Sequence, residues 1–313
     1  MGKKKEKKNV LFGRKNDYDM ITLKKVQTLI EASKKIGYSI LTIPGVDCIY
    51  CYYAGYSFAE ISNEVKFVLG DGYKTYFGVN DWNEMKQNYE SYLYNSSNNW
   101  SNLKKVLEGV AQAQPRDYER HTQHEIAINN IKFSNSSYSV CGFETAIPEH
   151  YFAEKKKPEA DLVVICPDEH RIILVEFKCR VSSLSGSCGV VKHCTDYVDI
   201  VDKCVEIGFI KEMVKAYNLM NKLYGGSADE LDASDITKID IAFLITGSSS
   251  KDNDENAKGK IKENNNKSAI KMIKNTKKVS ETKKNELYWY WCENYKEAEF
   301  TDRNFVSFQT LKN

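Results

Sequence analysis

The spacing of apolar and polar residues changes period several times along the chain, and each change marks an element. "MITLKKVQTLIEASKKIG" carries apolar residues at helical spacing and ends on Gly37, a stop signal; "YSILTIPG" then reads as a strand. "WNEMKQNYESYLYN" and "WSNLKKVLEGVAQAQ" return to the helical period, the second halted by Pro115. "PRDYERHTQHEIAINNIKF" predicts a helix whose stripe is His124, Ala127, Ile128 and Ile131. "YSVCGFETAIP" reads as a strand. Two apolar runs follow in "ADLVVICPDEHRIILVEFK", joined by Pro167, Asp168, Glu169 and His170, which predicts a β-hairpin. "GVVKHCTDYVDIVDKCVEIGFIKEMVKAYNLM" supplies one or two helices, and "KIDIAFLIT" a further strand.

This order predicts an α/β protein with an α+β accessory domain over residues 17–112, a denser core over 113–250 and a C-terminal extension over 285–313. At 42% apolar residues in 313, the chain is long enough to bury one large core or one large and one small. Its net charge of +2 hides two basic stretches. The first fifteen residues hold seven basic groups and one acid, in a tail placed at 1–16; residues 251–284 hold eleven lysines and five acids. Both are expected to be mobile and to attract phosphate without reading sequence. The alternative is solvated surface in a chain rich in Lys, Asn, Ile and Tyr.

Nine cysteines without regular spacing, and no leader-like segment, predict a cytoplasmic protein with reduced thiols. Cys48 and Cys51 have the spacing of a zinc or redox pair, but no second pair follows, so they read as packed thiols. No apolar run approaches the roughly 20 residues that span a bilayer, and Glu6 stands where a myristoylation signal wants Ser or Thr. No membrane partner is expected.

The chemistry lies in the hairpin. With residues 167–170 as its loop, Cys166 faces Arg171 and Asp161 faces Glu176, while Lys178 shares the face of Glu176 because side chains alternate with period two. Opposed carboxylates repel each other. A hard divalent cation removes the objection, since Mg²⁺ binds through one or two carboxylates plus substrate phosphate. An inward-facing salt bridge is the structural alternative.

"PEADLVVICPDEHRIILVEFK" resembles the active-site hairpin of the PD-(D/E)XK nuclease superfamily: Asp161 matches its first Asp, and Glu176 and Lys178 its (D/E)XK part. Pro158 departs from the pattern, preceding Asp161 by three residues instead of one. The resemblance implies a restriction-endonuclease-like core, a mixed sheet flanked by helices, over 113–250. It implies hydrolysis of phosphodiester bonds, with DNA as the favoured substrate. Asp161, Glu176 and the carbonyl of Phe177 would hold Mg²⁺ or Mn²⁺, with Lys178 beside the attacking water. Members of this superfamily commonly add a helix Glu to the metal site; Glu125 borders the apolar stripe while Glu119 points away, so Glu125 is the chosen ligand. His193 and Tyr197 have the spacing of the Gln-xxx-Tyr motif of some members, with His in place of Gln, and together with Lys192 they are candidate phosphate contacts. The roles so implied are an endonuclease of restriction, antiviral defence or mobile-element processing, with a homodimer as a candidate assembly. A catalytically inactive nucleic-acid-binding or assembly protein on the same core is the alternative.

Overall fold

The computed structural model describes residues 18–113, 118–146, 159–206, 208–250 and 259–311. The basic tail, Pro158 and residues 251–258 of the lysine-rich stretch lie outside them.

Helix α1 (Met20–Lys35) opens with Asp19 as its N-cap, whose carboxylate accepts from the Thr22 N–H. Strands β1 (Leu41–Pro44), β2 (Ile49–Tyr53), β3 (Tyr56–Ile61) and β4 (Val65–Phe67) form an antiparallel sheet in sequence order. Helices α2 (Val79–Gln87), α3 (Tyr89–Leu93) and α4 (Ser101–Ala113) follow. Trp82, Tyr92, Leu103 and Val106 from these helices fill a core with Val26 and Leu29 of α1 and Phe58 of β3.

Helix α5 (Tyr118–Asn129) leads into β5 (Ser139–Ala146) and the hairpin of β6 (Glu159–Cys166) and β7 (Arg171–Lys178). Helices α6 (Val190–Glu206) and α7 (Phe209–Tyr224) precede β8 (Lys238–Thr246); α8 (Glu263–Asn275), α9 (Glu281–Asn285), β9 (Leu287–Cys292) and β10 (Val306–Ser307) complete the chain. The second sheet has six strands in the order β10-β9-β8-β7-β6-β5 and is mixed: β7, β8 and β9 run parallel, and the other pairs antiparallel. All eight residues of β7 are buried, as the near-continuous apolar run "RIILVEFK" requires of a central strand covered on both faces.

The hairpin register has Cys166 opposite Arg171 and runs to Leu162 opposite Val175. Arg171 closes the loop end. Its buried guanidinium lies 5.2 and 5.0 Å from the rings of Tyr138 and Tyr288 and pairs with Glu169 at 2.7 Å and Asp240 at 3.2 Å. Helix α7 joins the two cores: Leu219 and Leu223 face the first, Met213, Tyr217 and Met220 the second, and the Tyr224 hydroxyl donates to the carbonyl of Ile40.

The C-terminal extension, described to residue 311, adds to the six-stranded sheet: β9 pairs along β8, and Leu287, Trp289 and Phe308 belong to the sheet's core. One expectation changes. From residue 259 onward the lysine-rich stretch is folded. Asn266, Ala269, Ile270 and Ile273 recur at helical spacing and are buried, and the Asn266 side chain accepts from the Trp289 indole at 2.9 Å. Lysines filling the outer positions mask that stripe. Cys48 and Cys51 are buried, and burial pushes the Cys48 thiol up to about 11. Among the described residues, no helix is long and apolar enough to cross a membrane.

Candidate functional site

At the carboxyl end of β7, Glu176 and Lys178 project from one face, and both are almost fully buried. The Lys178 ammonium lies 2.5 Å from Oε1 of Glu176. Nδ1 of His193, on α6, sits 3.1 Å from the same oxygen. Oε2 of Glu176 is buried with no hydrogen-bond partner. Burial alone would push the Glu176 carboxyl up, but the His193 hydrogen bond and the Lys178 charge outweigh it, and the group sits below its ordinary value. Burial also disfavours the Lys178 cation, yet Glu176, Asp161 and Glu119 overcome it and raise Lys178 well above the usual lysine range. Lys178 is therefore a firmly held cation.

Asp161 lies on β6 just beyond the last paired residue, Leu162, where the two strands part. Its Oδ2 accepts the Phe177 N–H at 2.7 Å, so Phe177 meets Asp161 through its amide, inside the hairpin. Burial first, and the charge of Glu176 second, push the Asp161 carboxyl well above the ordinary aspartate value. The backbone N–H favours the ionised form but does not reverse the direction. Two carboxylates compete here for one negative charge.

The helix carboxylate near this cluster is Glu119, not Glu125. Glu119 Oε1 accepts from the Lys178 ammonium at 3.2 Å. Glu125 is exposed; it accepts from the Tyr295 hydroxyl at 3.2 Å and lines a cavity of about 280 Å³ with His121, His124, Tyr38 and Tyr53. Of the expected stripe on α5, His124, Ala127, Ile128 and Ile131, the first two are buried. Ile126, outside that stripe, is fully buried as well, while Ile128 and Ile131 are half-buried. Glu119, Thr122 and Ile126 lie at i, i+3 and i+7, so the Ile126 side of the helix turns Glu119 towards the sheet.

Each of the three expected phosphate contacts has a partner within the protein. Lys192 pairs with Asp196 one turn along α6. Tyr197 is buried, donates towards the carbonyls of Glu159 and Val175, and accepts from the Asp161 N–H. It holds the two strands at the point where they part. His193 fixes the orientation of Glu176.

Sequence reasoning missed Glu144. The β5–β6 register, Phe143 with Leu162 and Thr145 with Ala160, puts it across from Asp161. Its φ of +45°, a left-handed value uncommon outside glycine, accompanies a carboxylate that pairs with Arg120 at 2.8 Å. Burial raises the Glu144 carboxyl, Arg120 lowers it, and the net direction is up.

Among the described residues, no three His, Cys, Asp or Glu side chains converge as a metal cage. The neighbouring carboxylates of Asp161 and Glu176, the latter with Oε2 making no hydrogen bond, are nonetheless oxygen donors of the kind that suit Mg²⁺, which keeps several waters and takes its remaining oxygens from phosphate. No family model, curated protein or solved structure matches this chain.

Proposed function

We propose that the protein is a metal-dependent nuclease that hydrolyses phosphodiester bonds, with DNA as substrate, on a restriction-endonuclease-like core. The observation that carries this reading is the trio that half-buried Asp161 forms with buried Glu176 and Lys178. Asp161 is pushed towards its neutral form by burial and by Glu176, and Glu176 leaves one oxygen unpartnered. A structural ion pair needs Lys178 and Glu176 only; it gives no reason to place a second, half-buried carboxylate beside them. Resemblance of the hairpin sequence to the PD-(D/E)XK superfamily points the same way.

Asp161 and Glu176 would hold Mg²⁺ or Mn²⁺, and the Phe177 carbonyl would add an oxygen. When bound, the cation polarises the phosphate and lowers the pKa of a coordinated water. The protein's own groups supply the rest. Lys178, held as a cation by the carboxylates around it, would stabilise negative charge growing on the phosphoryl oxygens. His193 holds the orientation of Glu176, and Glu119 holds that of Lys178. Tyr197 positions Asp161 through its backbone.

A second reading has one observation in its favour. Lys178 and His193 both already engage Oε1 of Glu176, as a closed ion-pair network would. On that reading the core is a catalytically inactive nucleic-acid-binding or assembly protein. Incubating the protein with circular and linear DNA and with RNA, in Mg²⁺, Mn²⁺ or EDTA, separates the two. Cleavage that requires a divalent cation supports the nuclease; binding without cleavage under every metal supports the alternative.

A further inference from the structure

The first sheet reaches towards the trio through the turn between β2 and β3. Ala54 and Gly55 form it, with φ of +51° and +84°, the left-handed pair that a two-residue hairpin turn requires. This turn lies against the first turn of α5: a Cβ on Gly55 would come within 2.6 Å of the Arg120 carbonyl oxygen and 2.7 Å of the Arg120 Cβ. Position 55 needs glycine for its φ and for the close approach alike. The contact continues along the helix. The rings of Tyr56 and Tyr53 meet those of His121 and His124 at 6.3 and 5.8 Å, and the Tyr52 carbonyl accepts from Nε2 of His124 at 3.2 Å.

These contacts converge on Arg120. Its guanidinium carbon lies 5.3 Å from the ring centre of Tyr56, and Nη2 donates to Oε2 of Glu144 at 2.8 Å. Arg120 thereby ties three elements together: β3 of the first sheet, its own helix, and β5 at the edge of the second sheet. Two of these carry groups that meet the trio. Glu119, next to Arg120 on α5, accepts from Lys178 at 3.2 Å, and Glu144 stands across from Asp161. The left-handed φ of Glu144, +45°, persists only where surrounding contacts fix it, and its ion pair with Arg120 is one of them. Phe143, the residue before it, packs on the Tyr52 ring at 5.2 Å, so the β2–β3 hairpin also touches β5 directly.

We infer that Arg120 is a positioning residue of the candidate active site: seated by Gly55 and Tyr56, it fixes Glu119 against Lys178 and Glu144 across from Asp161, and the first sheet acts on the chemistry through it. This rests on the nuclease reading for the chemistry. The role needs no contact between Arg120 and either DNA or the cation. Without the guanidinium, Glu144 loses the cation paired with it beside Asp161, and the first turn of α5 loses a tie to β5. Lysine would keep the charge but not the planar fork that reaches Glu144 while stacked on Tyr56.

The test compares parent, Arg120→Gln, Arg120→Lys and Gly55→Ala in three measurements, at a temperature where urea unfolding shows each variant folded: single-turnover cleavage at saturating DNA with Mg²⁺, DNA binding by polarisation in EDTA, and amide hydrogen exchange of α5 and β5 in EDTA. Arg120→Gln should cut about 10-fold to 100-fold more slowly, the cost of misplacing reacting groups by up to about 1 Å, and should bind DNA as the parent does. Its α5 amides should exchange about 10-fold faster, the factor for losing one charge-assisted hydrogen bond. Arg120→Lys should recover part of the rate, and adding Glu144→Gln to Arg120→Gln should slow cleavage no further, because both act through one contact. Gly55→Ala should reproduce the rate loss with DNA binding intact; if it does not fold, the Arg120 variants carry the test. An unchanged rate at saturation in Arg120→Gln, or a loss confined to DNA affinity, would overturn the inference, the latter marking Arg120 as a substrate contact. Should the parent cut nothing while exchange rises as stated, the nuclease reading falls and the tie between α5 and β5 stands. Should the parent cut while Arg120→Gln matches it in rate and exchange, the positioning role alone falls.

Discussion

Replacing Lys178 with Met isolates the energetics of the buried Lys178–Glu176 pair. Lys178 and Glu176 are 4% and 1% exposed, so the substitution leaves Glu176 as a carboxylate in the core without its cation. Breaking a buried pair on one side destabilises by about 3–5 kcal/mol. Two features put this case near the low end. His193 still holds Oε1 of Glu176 at 3.1 Å, and Glu119 is about one-third exposed, so water takes over much of its lost contact. About 3 kcal/mol follows; with a urea m-value of about 3 kcal/mol/M, the unfolding midpoint at pH 7 in EDTA should fall by about 1 M. Removing the negative partner as well, in Glu176→Gln/Lys178→Met, should recover most of that loss, because the uncompensated charge is gone. A single-variant shift below about 0.3 M, or a double variant as unstable as the single, would refute the reasoning.

Asp161 carries a pH signature. Its folded-state pKa is raised, so the native protein holds a proton that the unfolded chain has released; this contribution is present at low pH and is lost as pH rises through the folded value. Asp161→Asn, measured in EDTA by thermal unfolding, should therefore match or exceed the parent's stability on the alkaline side, and Mg²⁺ should stabilise the parent more than the variant, increasingly so as pH rises. Glu119→Gln should slow cleavage at least 10-fold with a stability change under about 1 kcal/mol, whereas exposed Glu125→Gln should leave cleavage rates unchanged. Ile273→Ala should destabilise by about 2–5 kcal/mol in denaturant unfolding, since Ile273 is fully buried in a helix that the lysine count alone would assign to solvent.

The hairpin was legible because its determinants are local. Four turn residues between two apolar runs fix a register, and period two then fixes which side chains share a face. Glu119 was not legible, because α5 is covered on more than one side: His121, Thr122, Gln123, His124 and Ile126 are all buried, and so broad a buried surface defeats a search for one apolar stripe. Glu144 required the partner strand, since its place opposite Asp161 is a property of the β5–β6 register and not of its own neighbours. The C-terminal strand "LYWYWC" joins β8 through a parallel pairing, which no turn announces in the sequence. Lysine-rich α8 shows composition masking pattern: Ala269, Ile270 and Ile273 recur at helical spacing, but eleven lysines over 251–284 give the segment the composition of mobile surface.

The central claim is that Asp161 and Glu176 hold a catalytic cation while Lys178 stabilises the transition state, and one pair of variants separates these roles. Divalent-metal binding by calorimetry and single-turnover cleavage of DNA should be measured on the same preparations of parent, Glu176→Gln and Lys178→Met. The account predicts that Glu176→Gln loses both metal binding and cleavage, while Lys178→Met keeps metal binding and cuts about 10²-fold to 10⁴-fold more slowly. A folded Lys178→Met protein that cuts as fast as the parent, or a parent that binds no divalent metal and cuts neither DNA nor RNA, would contradict it and leave the trio as a structural ion pair on a buried strand.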